Sequence, residues 1–342
     1  MRELDHCIKC NSCMRACPVV RNVGEGVFPG PRSLAVDEAR HAATSSSEEL
    51  LKCSMCLSCR DACPSMIDLP RAILTLRGSN KGEPLPGHAR MLANIDAYGY
   101  SVRPDAKNIV SYHKGSENGT CLFPGCIATW RLPDMATSAI GLLGWFGNDI
   151  SVPEGLCCCG SPLEKIGDRE RLKKLLERNK AVLEVYESIV TICPGCTGQL
   201  NEKYGIESLH IVEYIYEVVG LDKLKGSMDG KGMTVVVHMP CHLARGVGRH
   251  AEEYLYQILS SVPNLRMTED PYGDECCGAG GGLLSGFPEI ASTLALRRSE
   301  KLARSKADLA VTACPFCVLT LDGAGRMRTL DLTILLNSLI HR

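Results

Sequence analysis

The feature that most constrains this chain is a cysteine pattern that occurs twice in its C-terminal part. In each copy a lone cysteine is followed by a Cys-Cys-Gly run and then by a C-x-x-C motif. The intervening lengths nearly match, at 31 and 33 residues in the first copy and 34 and 36 in the second. Adjacent cysteines can place thiolates on neighbouring metal ions, and the other cysteines of each copy add further soft ligands. Each copy therefore predicts a metal centre, and the cysteines concerned are Cys126, Cys158, Cys159, Cys193, Cys196, Cys241, Cys276, Cys277, Cys314 and Cys317.

Two further cysteine runs lie near the N-terminus, and each has the spacing C-x2-C-x2-C-x3-C-P. In two-cluster ferredoxins, three cysteines of such a run hold one [4Fe-4S] cubane and the fourth reaches across to the other cubane. A pair of zinc sites is the alternative, but zinc takes four ligands as two pairs, and the third cysteine suits it poorly. The spacing predicts one cubane on Cys7, Cys10, Cys13 and Cys63, and a second on Cys53, Cys56, Cys59 and Cys17.

Length and composition limit the remaining possibilities. A chain of 342 residues suggests two or three domains, and 45% hydrophobic residues allow a sizeable core. The formal net charge of −1 provides no basic excess for nucleic acid or for an anionic membrane surface. Twenty cysteines clustered as C-x-x-C and C-C indicate metal rather than disulfides. The charged start does not resemble an export signal, and no apolar run is long enough to span a bilayer, so we expect a cytoplasmic protein.

The sequence lacks the glycine motif of a dinucleotide site. No G-x-G-x-x-G follows a predicted strand, so we expect neither a flavin nor a nicotinamide site in this chain. The glycine-rich stretch 278–282 instead predicts close approach of the backbone to a bulky cluster. Electrons would then have to come from a partner.

Short apolar runs lead to the cysteine groups, as in α/β sheets whose sites lie at the carboxyl ends of the strands. Strands are predicted at 121–123, 150–152, 189–192, 234–237, 265–267 and 309–312. Helices are predicted after Asp168 and near 33–43, 89–97, 251–259 and 330–340. The expected fold is an α-helical ferredoxin domain followed by two α/β (Rossmann-like) cysteine-rich domains related by pseudo-twofold symmetry. The predicted boundaries are 1–80 for the ferredoxin domain, 81–119 for a linker, and 120–228 and 229–342 for the cysteine-rich domains.

Three phrases of the sequence carry a resemblance to a known family. They are Phe-Pro-Gly-Cys at 123–126, His-Met-Pro-Cys-His-Leu at 238–243 and Cys-Cys-Gly-Ala-Gly-Gly at 276–281. With the N-terminal runs, they resemble the catalytic iron–sulfur subunit of heterodisulfide reductases, in the form that fuses a ferredoxin to two CCG cysteine-rich domains (D-type or fused C/B-type). The resemblance covers nearly the whole chain. Met239 departs from it, because relatives often carry an acidic residue there.

The resemblance implies a noncubane [4Fe-4S] cluster on each complete CCG motif, in addition to the two cubanes. The ligands of one cluster would be Cys126, Cys158, Cys159, Cys193 and Cys196. The ligands of the other would be Cys241, Cys276, Cys277, Cys314 and Cys317. The run Cys157-Cys158-Cys159 leaves the register open. Gly160 favours the pair Cys158 and Cys159, which would make Cys121 and Cys157 spare thiols.

The activity that the resemblance implies is reduction of the mixed disulfide of coenzyme M and coenzyme B to two thiols. Each sulfur would be caught transiently by one iron, while the cubanes supply electrons one at a time. Candidate proton donors near the ligands are His238, His242, Asp274 and Glu275, although histidines at strand ends more often bond backbone or thiolate. The expected partners are a small-molecule disulfide and an electron-donating subunit, either a flavoprotein or a membrane cytochrome b-type protein. We expect a hetero-oligomeric complex, peripheral to the membrane only through such a partner.

Two other functions share these motifs. The chain could be an electron-transfer subunit of a glycolate, lactate or glycerol-3-phosphate-type dehydrogenase, or of a thiol:fumarate reductase-like complex. Completeness of both CCG motifs favours the disulfide oxidoreductase, since electron-transfer relatives often lack part of one motif. A metal-storage protein is a third alternative, but storage does not require ferredoxin spacing.

Overall fold

The computed structural model describes residues 2–37, 47–79, 82–105, 119–270, 272–273 and 275–341. The helix predicted at 33–43 begins with a turn of π-helix at Ser33–Asp37, and its remainder lies outside these ranges. Asp274, one of the candidate proton donors, also lies outside them. Within these ranges, no helix combines the length and the apolar character needed to cross a membrane.

The N-terminal domain consists of short helices separated by cysteine loops. The helices are α1 (Ser12–Ala16), α2 (Pro18–Val23), α3 (Gly30–Arg32), α4 (Ser47–Leu51), α5 (Ser58–Asp61) and α6 (Leu69–Ser79), preceded by a 3-10 turn at Arg2–His6. The two loops turn alike, because Lys9 and Asn11 in the first run and Met55 and Leu57 in the second have positive φ angles. These left-handed residues curl each loop so that successive cysteines face one point.

The eight strands form two four-stranded sheets in which every described pair is parallel. The first sheet has the order β2-β1-β3-β4 and the second has the order β6-β5-β7-β8. The first four strands are β1 (Thr120–Phe123), β2 (Ile150–Ser151), β3 (Ser188–Thr191) and β4 (Leu209–His210); the others are β5 (Thr234–Val237), β6 (Arg266–Thr268), β7 (Leu309–Thr312) and β8 (Thr329–Asp331). The predicted strands are confirmed to within one residue, whereas β4 and β8 were not predicted.

Helices connect the strands and cover both sheets, as parallel crossovers require. The linker region holds α7 (Pro86–Tyr98); the first sheet carries α8 (Gly125–Trp130), α9 (Pro133–Trp145), α10 (Ser161–Ile166), α11 (Arg169–Leu183), α12 (Pro194–Gln199), α13 (Ile211–Tyr214) and α14 (Leu221–Ser227); the second carries α15 (Arg249–Ser261), α16 (Leu283–Gly286), α17 (Pro288–Ala303), α18 (Pro315–Gly323) and α19 (Leu332–Leu339). Turns of π-helix lie at Leu200–Tyr204, Ile215–Val219 and Leu243–Val247. Asp168 caps α11 as predicted, since its side chain accepts a hydrogen bond from the Arg171 amide at 3.0 Å.

The two sheets share one hydrophobic core. Helix α9 of the first sheet packs on α19 of the second, while α15 of the second packs on α13 and the turn that follows it in the first. Leu142 and Leu335 are among the residues that this reciprocal packing buries. Met228 and Ile340 add an antiparallel bridge between the two units. The cysteine-rich units therefore support each other.

A single buried arginine joins the N-terminal domain to both sheets. The Arg77 side chain is 2% exposed and donates five hydrogen bonds to backbone carbonyls. Its acceptors are the carbonyls of Leu50 and Cys53 in the N-terminal domain, of Lys165 in the first unit and of Gly281 in the second. Because one guanidinium group donates hydrogen bonds to carbonyls of all three units, it holds the three units in fixed relative positions.

Candidate metal centres

The cysteines predicted to hold the first cubane lie together, and we call them set 1 (Cys7, Cys10, Cys13 and Cys63). Burial raises the pKa of Cys13, and the nearby thiols of Cys7, Cys63 and Cys10 raise it further. Cys10 is exposed, whereas Cys13 is buried. The fourth cysteine of the second run therefore joins three cysteines of the first run, as the spacing predicts.

The cysteines predicted to hold the second cubane lie deeper, and we call them set 2 (Cys17, Cys53, Cys56 and Cys59). Burial raises the pKa of Cys17, with further contributions from Cys56 and Cys53. The thiol of Cys59 has neighbours from both sets. Burial raises its pKa, and the nearby thiols of Cys53, Cys56 and Cys17 in set 2 and of Cys13 in set 1 raise it further. Sets 1 and 2 are thus adjacent.

In both sheets the central strands deliver cysteines to the edge formed by the carboxyl ends of the strands. Cys193 follows β3 and caps α12, and Cys314 follows β7 and caps α18. In both helices a proline occupies the first turn, where its missing N–H is not needed. The second cysteine of each C-x-x-C motif, Cys196 or Cys317, lies in that same turn, and hydrogen bonds to neighbouring thiols together with burial raise its pKa well above the usual range.

The first CCG motif converges into one buried group, set 3 (Cys126, Cys158, Cys159, Cys193 and Cys196). The Sγ atoms of Cys196 and Cys159 are 3.3 Å apart. Hydrogen bonds from Cys158 and Cys196 lower the pKa of Cys159 to about 6. A thiol with a lowered pKa is readily ionised, and the thiolate is the form that binds metal.

A buried polar network orients the run Cys157-Cys158-Cys159. Asn179, which is fully buried, accepts hydrogen bonds from the amide and the thiol of Cys157 at 2.9 and 3.3 Å, and it donates to the carbonyl of Cys158 at 3.0 Å. It also donates to the hydroxyl of Tyr204 at 2.8 Å, which in turn donates to the carbonyl of Cys159 at 3.1 Å. Cys157 is therefore turned towards Asn179, away from the other thiols of the run. Burial raises the pKa of Cys157 to about 12.

The second CCG motif forms the corresponding group, set 4 (Cys241, Cys276, Cys277, Cys314 and Cys317). The Sγ atoms of Cys317 and Cys277 are 3.3 Å apart, the same distance as in set 3. Hydrogen bonds from Cys276 and Cys317 lower the pKa of Cys277 well below its usual range. Cys121, the other spare thiol, lies in strand β1 and is fully buried, and burial raises its pKa to about 12.

In space the four sets follow one another in the order 1, 2, 4, 3, so that set 4 lies between the N-terminal domain and set 3. Cys56 of set 2 packs against Cys241 and Cys276 of set 4. On the far side of set 4, the thiols of Cys314 and of Cys193 in set 3 are neighbours, because each of them shifts the pKa of the other. Nothing in the sequence showed which of the two motifs would adjoin the N-terminal domain.

The glycine-rich stretch makes this junction possible. A Cβ atom on Gly280 would lie 2.6 Å from the carbonyl oxygen of Ser54, and one on Gly281 would lie 2.4 Å from that of Cys53. The sequence predicts close approach of this stretch to a bulky cluster, whereas in the structure Gly280 and Gly281 approach the backbone of the set 2 loop. A side chain at either position would separate set 2 from set 4.

One cavity of about 410 Å³ is lined by all the cysteines of sets 3 and 4. Its other polar lining includes Lys165, His242, Arg90 and Arg131, and the described residues that line it include no Asp or Glu. Both arginines are exposed, while Lys165 is partly buried, and burial lowers the pKa of its ammonium group. The cavity is therefore lined by thiols and by cations, and any metal cluster bound by sets 3 and 4 would occupy part of its volume.

The candidate proton donors occupy different places. His242 lines the cavity, with Nδ1 3.5 Å from the Sγ atom of Cys241, and burial lowers its pKa to about 4. His238 does not line the cavity but lies behind set 4. Glu275 is engaged in ion pairs with Arg21 and Lys301, each at 2.7 Å. The structure therefore brings one of the described candidates, His242, to the cavity wall.

Sequence reasoning missed the three cations of the cavity. Lys165 lies on α10, directly after the first CCG motif, whereas Arg90 lies on α7 in the predicted linker. Isolated basic residues on helices have no signature in a single sequence. Arg90 reaches the cavity because α7 packs against both units: Met91 and Ile95 contact the core around Cys126, and the ring of His88 is hydrogen-bonded to the carbonyl of Gly282.

Two further titratable groups lie buried at equivalent places, the ends of β4 and β8. His210 caps α13 through Nδ1, which accepts from the Val212 amide at 3.3 Å, and burial lowers its pKa to about 4. Asp331 caps α19 by accepting from the Thr333 amide at 2.8 Å, and burial raises its pKa to about 7. Both groups are therefore favoured in the neutral form inside the fold.

The donor sets suit iron–sulfur clusters. None of the twenty cysteines, all of which lie in the described part of the chain, forms a disulfide. Sets 3 and 4 each gather five thiols, one more than tetrahedral zinc takes, and sets 1 and 2 have the ferredoxin grouping. Such thiol-lined, buried sites are suited to clusters that carry electrons.

Comparison with known proteins agrees with this description. The family described as a 4Fe-4S dicluster domain matches residues 3–67, and the family described as a cysteine-rich domain (CCG) matches residues 120–201 and 235–322. Among the CoM/CoB fumarate reductase B subunits, that of Methanothermobacter marburgensis is 34% identical to this chain, covering 98% of this chain and 72% of that protein. Among the dihydromethanophenazine:CoB–CoM heterodisulfide reductase D subunits, that of Methanosarcina acetivorans is 26% identical, covering 93% of this chain and 88% of that protein.

Two more distant similarities cover different parts of the chain. "Lactate utilization protein A 2" of Bacillus cereus is 26% identical over 63% of this chain and 93% of its own length. The crystal structure of a hypothetical protein from Helicobacter pylori superposes with a TM-score of 0.63 over 100% of this chain and 72% of that one, at 11% identity. This last similarity concerns the fold alone.

The fold and the thiol sets define an iron–sulfur oxidoreductase subunit, in which a ferredoxin-like domain is followed by two CCG regions of parallel α/β structure. The chain belongs to the family of such proteins that includes the heterodisulfide reductase D subunits and the CoM/CoB fumarate reductase B subunits.

Proposed function

We propose that this chain is the catalytic iron–sulfur subunit of a heterodisulfide reductase-like complex. It would interconvert the coenzyme M–coenzyme B mixed disulfide and its two thiols, according to R–S–S–R′ + 2 e⁻ + 2 H⁺ ⇌ R–SH + R′–SH. The observation that carries the proposal is the cavity, because a single space is lined by both complete CCG motifs and by cations without acids.

We assign the ligands as follows. Sets 1 and 2 would each hold a cubane [4Fe-4S] cluster, and sets 3 and 4 would each hold a noncubane [4Fe-4S] cluster. The position of Cys157, turned towards Asn179, supports the pair Cys158 and Cys159 as the ligands of the first CCG motif. We further propose the domain boundaries 1–80, 81–119, 120–228 and 229–342, with the last two domains related by a pseudo-twofold axis. The equivalent strand orders and the reciprocal helix packing support this symmetry.

The charge of the cavity suits the proposed substrate. Coenzyme M carries a sulfonate and coenzyme B carries a phosphate and a carboxylate, so the mixed disulfide is a polyanion. Arg90 and Arg131 are placed to hold its charged ends, and the absence of acidic side chains from the described lining avoids repulsion.

Disulfide cleavage requires two electrons and two protons. The clusters, when bound, supply the electrons and can bind the sulfur atoms. The ammonium group of Lys165 is a proton-bearing group of the described cavity wall, and its partial burial favours release of that proton. We propose that Lys165 protonates one product thiolate.

The direction of the reaction would depend on the partner. The relative named for heterodisulfide reductase and the relative named for CoM/CoB fumarate reductase are both similar to this chain over nearly its whole length. The thiol–disulfide step within this chain would be the same in both cases, and the partner, a flavoprotein or a cytochrome b-type subunit, would supply or withdraw the electrons. The exposed Cys10 side of set 1 is the natural place for that exchange.

The rival function is onward electron transfer in a lactate-type dehydrogenase. The lactate utilization relative aligns with 63% of this chain, and pure electron transfer requires no substrate cavity. The lining of the cavity favours the disulfide reaction, because Arg90, Arg131 and Lys165, with no Asp or Glu among the described lining residues, suit an anionic substrate and are not needed for electron transfer alone.

The test is a viologen-linked assay on the cluster-loaded chain. Reduced viologen should be oxidised only when the mixed disulfide is added, and two thiols should form for every two electrons consumed. Replacing both rim arginines (Arg90→Gln with Arg131→Gln) should raise KM for the mixed disulfide at least tenfold while leaving iron content unchanged, because about 1.4 kcal/mol of binding corresponds to a factor of ten. Absence of thiol release from a chain carrying all four clusters would exclude the proposal and leave the electron-transfer rival.

A further inference from the structure

A buried histidine and arginine lie behind the thiols of set 4. His238 follows β5 directly and is 1% exposed, and Arg298 on α17 is also 1% exposed. A ring nitrogen of His238 and the Sγ atoms of Cys277 and Cys317 lie within 4.8 Å of one another. The imidazole ring of His238 therefore lies beside both thiols.

The hydrogen bonds of Arg298 determine the tautomer of His238. The Nε atom of Arg298 donates to Nδ1 of His238 at 3.1 Å. A guanidinium group carries donors only, so Nδ1 must accept and cannot bear a proton. A carboxylate oxygen of Asp270 accepts from the Nη2 atom of Arg298 and holds the guanidinium group in place. The proton of the imidazole is therefore on Nε2, which is shielded from solvent.

We propose that His238 donates an N–H···S hydrogen bond from Nε2 to a cluster thiolate of set 4, Cys277 or Cys317. Arg298, held by Asp270, would be the positioning residue that keeps the proton on Nε2. Because a protonated Nε2 has no free lone pair, His238 would be a donor to the cluster and not a ligand of iron. The inference rests on the assignment of set 4 as cluster ligands made above.

Such a hydrogen bond affects the reduction potential. The thiolates of a cluster carry more negative charge after reduction, so a donor stabilises the reduced state and raises the potential. Set 3 has a different neighbour at the matching place, because Phe123 lies three residues before Cys126 as His238 lies three residues before Cys241. We therefore expect the set 4 cluster to have the higher potential of the two CCG clusters.

The test is a redox titration of the cluster-loaded chain, followed by visible absorption and electron paramagnetic resonance. His238→Phe places at set 4 the residue type found at set 3, and it should lower the potential of one CCG cluster while the other clusters keep theirs. His238→Gln retains an N–H donor and should restore most of the shift. Arg298→Met frees Nδ1 and should lower the same potential by less than His238→Phe does. Phe123→Leu is the matched control in the first unit and should leave the set 4 potential unchanged.

Labelling with ¹⁵N-histidine separates donor from ligand. A hydrogen-bonded nitrogen gives a weak coupling to the reduced cluster, whereas a nitrogen bound to iron gives a strong one. A strong coupling, or unchanged potentials in a fully loaded His238→Phe chain, would overturn the proposal. If His238→Phe fails to load, the Gln and Met variants decide between the same two outcomes.

Failure of the cluster assignment would give a different result. In that case the wild-type chain itself would contain about eight irons, those of two cubanes, instead of about sixteen. The potentials do not depend on disulfide turnover, so this inference can fail while the proposed activity stands.

Discussion

The two cysteine-rich units have the same strand order and the same thiol pattern, but they differ in what surrounds the thiols. Set 3 is supported by neutral groups, Asn179 and Tyr204, which bond the backbone of its cysteine run. Set 4 is backed by the charged pair of Arg298 and Asp270, acting through His238. The repeated scaffold thus gives the same Sγ–Sγ distance of 3.3 Å in both sets, while the side chains behind the thiols differ.

Position reinforces this difference. Set 4 contacts Cys56 of the N-terminal domain, and set 3 is joined to that domain through set 4. We therefore expect set 4 to receive electrons from the N-terminal domain and set 3 to be the last set that the electrons reach. The comparison predicts that the two units are both essential but not interchangeable.

The largest expected effect comes from removing one thiol from each unit. Cys277→Ala and Cys159→Ala should each abolish disulfide reduction and remove about four of about sixteen irons. In the Cys159→Ala chain the set 4 cluster should still be reduced by the N-terminal cubanes, whereas in the Cys277→Ala chain the set 3 cluster should be reduced far more slowly. Rapid-mixing absorption spectroscopy measures both rates. Cys121→Ala, which removes a buried thiol outside both sets, is the control and should retain activity.

Retention of disulfide reduction by either variant would mean that a single unit catalyses the reaction. The two thiol sets would then be alike in structure but would not both be required for catalysis.

An effect of intermediate size concerns the pH dependence of the free energy of unfolding. The two units differ here because β4 ends in His210 and β8 ends in Asp331. The pKa of His210 inside the fold, about 4, lies below the ordinary 6.5, so the unfolded chain takes up the proton first and the free energy of unfolding falls as pH drops from 6.5 to 4. The pKa of Asp331, about 7, lies above the ordinary 3.8, so the unfolded chain loses the proton first and the free energy of unfolding falls as pH rises from about 4 to 7. Each contribution is on the order of 3 kcal/mol, and in the intact chain the two slopes oppose each other.

Two neutral variants separate these slopes. Asp331→Asn keeps a capping oxygen and should leave a chain whose melting temperature rises from pH 5 to pH 7, while His210→Asn should leave one whose melting temperature falls over that interval. Calorimetry of the cluster-loaded protein measures both. Identical pH profiles in the two variants would contradict the assignment of opposite slopes to the two units.

The smallest effect tests the register of the first unit. Cys157→Ala should keep all the iron and lower the free energy of unfolding by about 1 kcal/mol, the value of one hydrogen bond. Asn179→Leu leaves several buried backbone groups without a partner and should cost about 2–3 kcal/mol. Iron analysis and thermal unfolding distinguish the two. Loss of about four irons in the Cys157→Ala chain would shift the ligand pair to Cys157 and Cys158.

Much of the architecture could be predicted because each four-residue strand is a mainly apolar run that is followed within four residues by a cysteine. The spacing rule for two-cluster ferredoxins places the fourth cysteine of each run at the other cluster, and the structure has Cys63 near the thiol of Cys13. In contrast, β4 and β8 span only a few residues and end in the polar His210 and Asp331, so their apolar signal is too short to recognise.

The contacts between units could not be predicted. Whether set 2 adjoins set 3 or set 4 depends on the packing of Gly280 and Gly281 against the backbone of residues 53 and 54, which are separated by more than 200 positions. The cations of the cavity were missed for the same reason. Arg90 lies in a segment that is predicted to be a linker, and it reaches the cavity because α7 packs against both the first and the second unit.

The exposure of Cys10 has a consequence for handling the protein in air. Sets 3 and 4 are buried throughout, whereas this thiol of set 1 faces solvent. Oxidants attack accessible thiolates first, so oxygen should damage the chain from its N-terminal end inwards. A sample purified in air would then keep an intact cavity. Small reducing dyes that diffuse into the interior would still reduce it, whereas its protein electron donor would not.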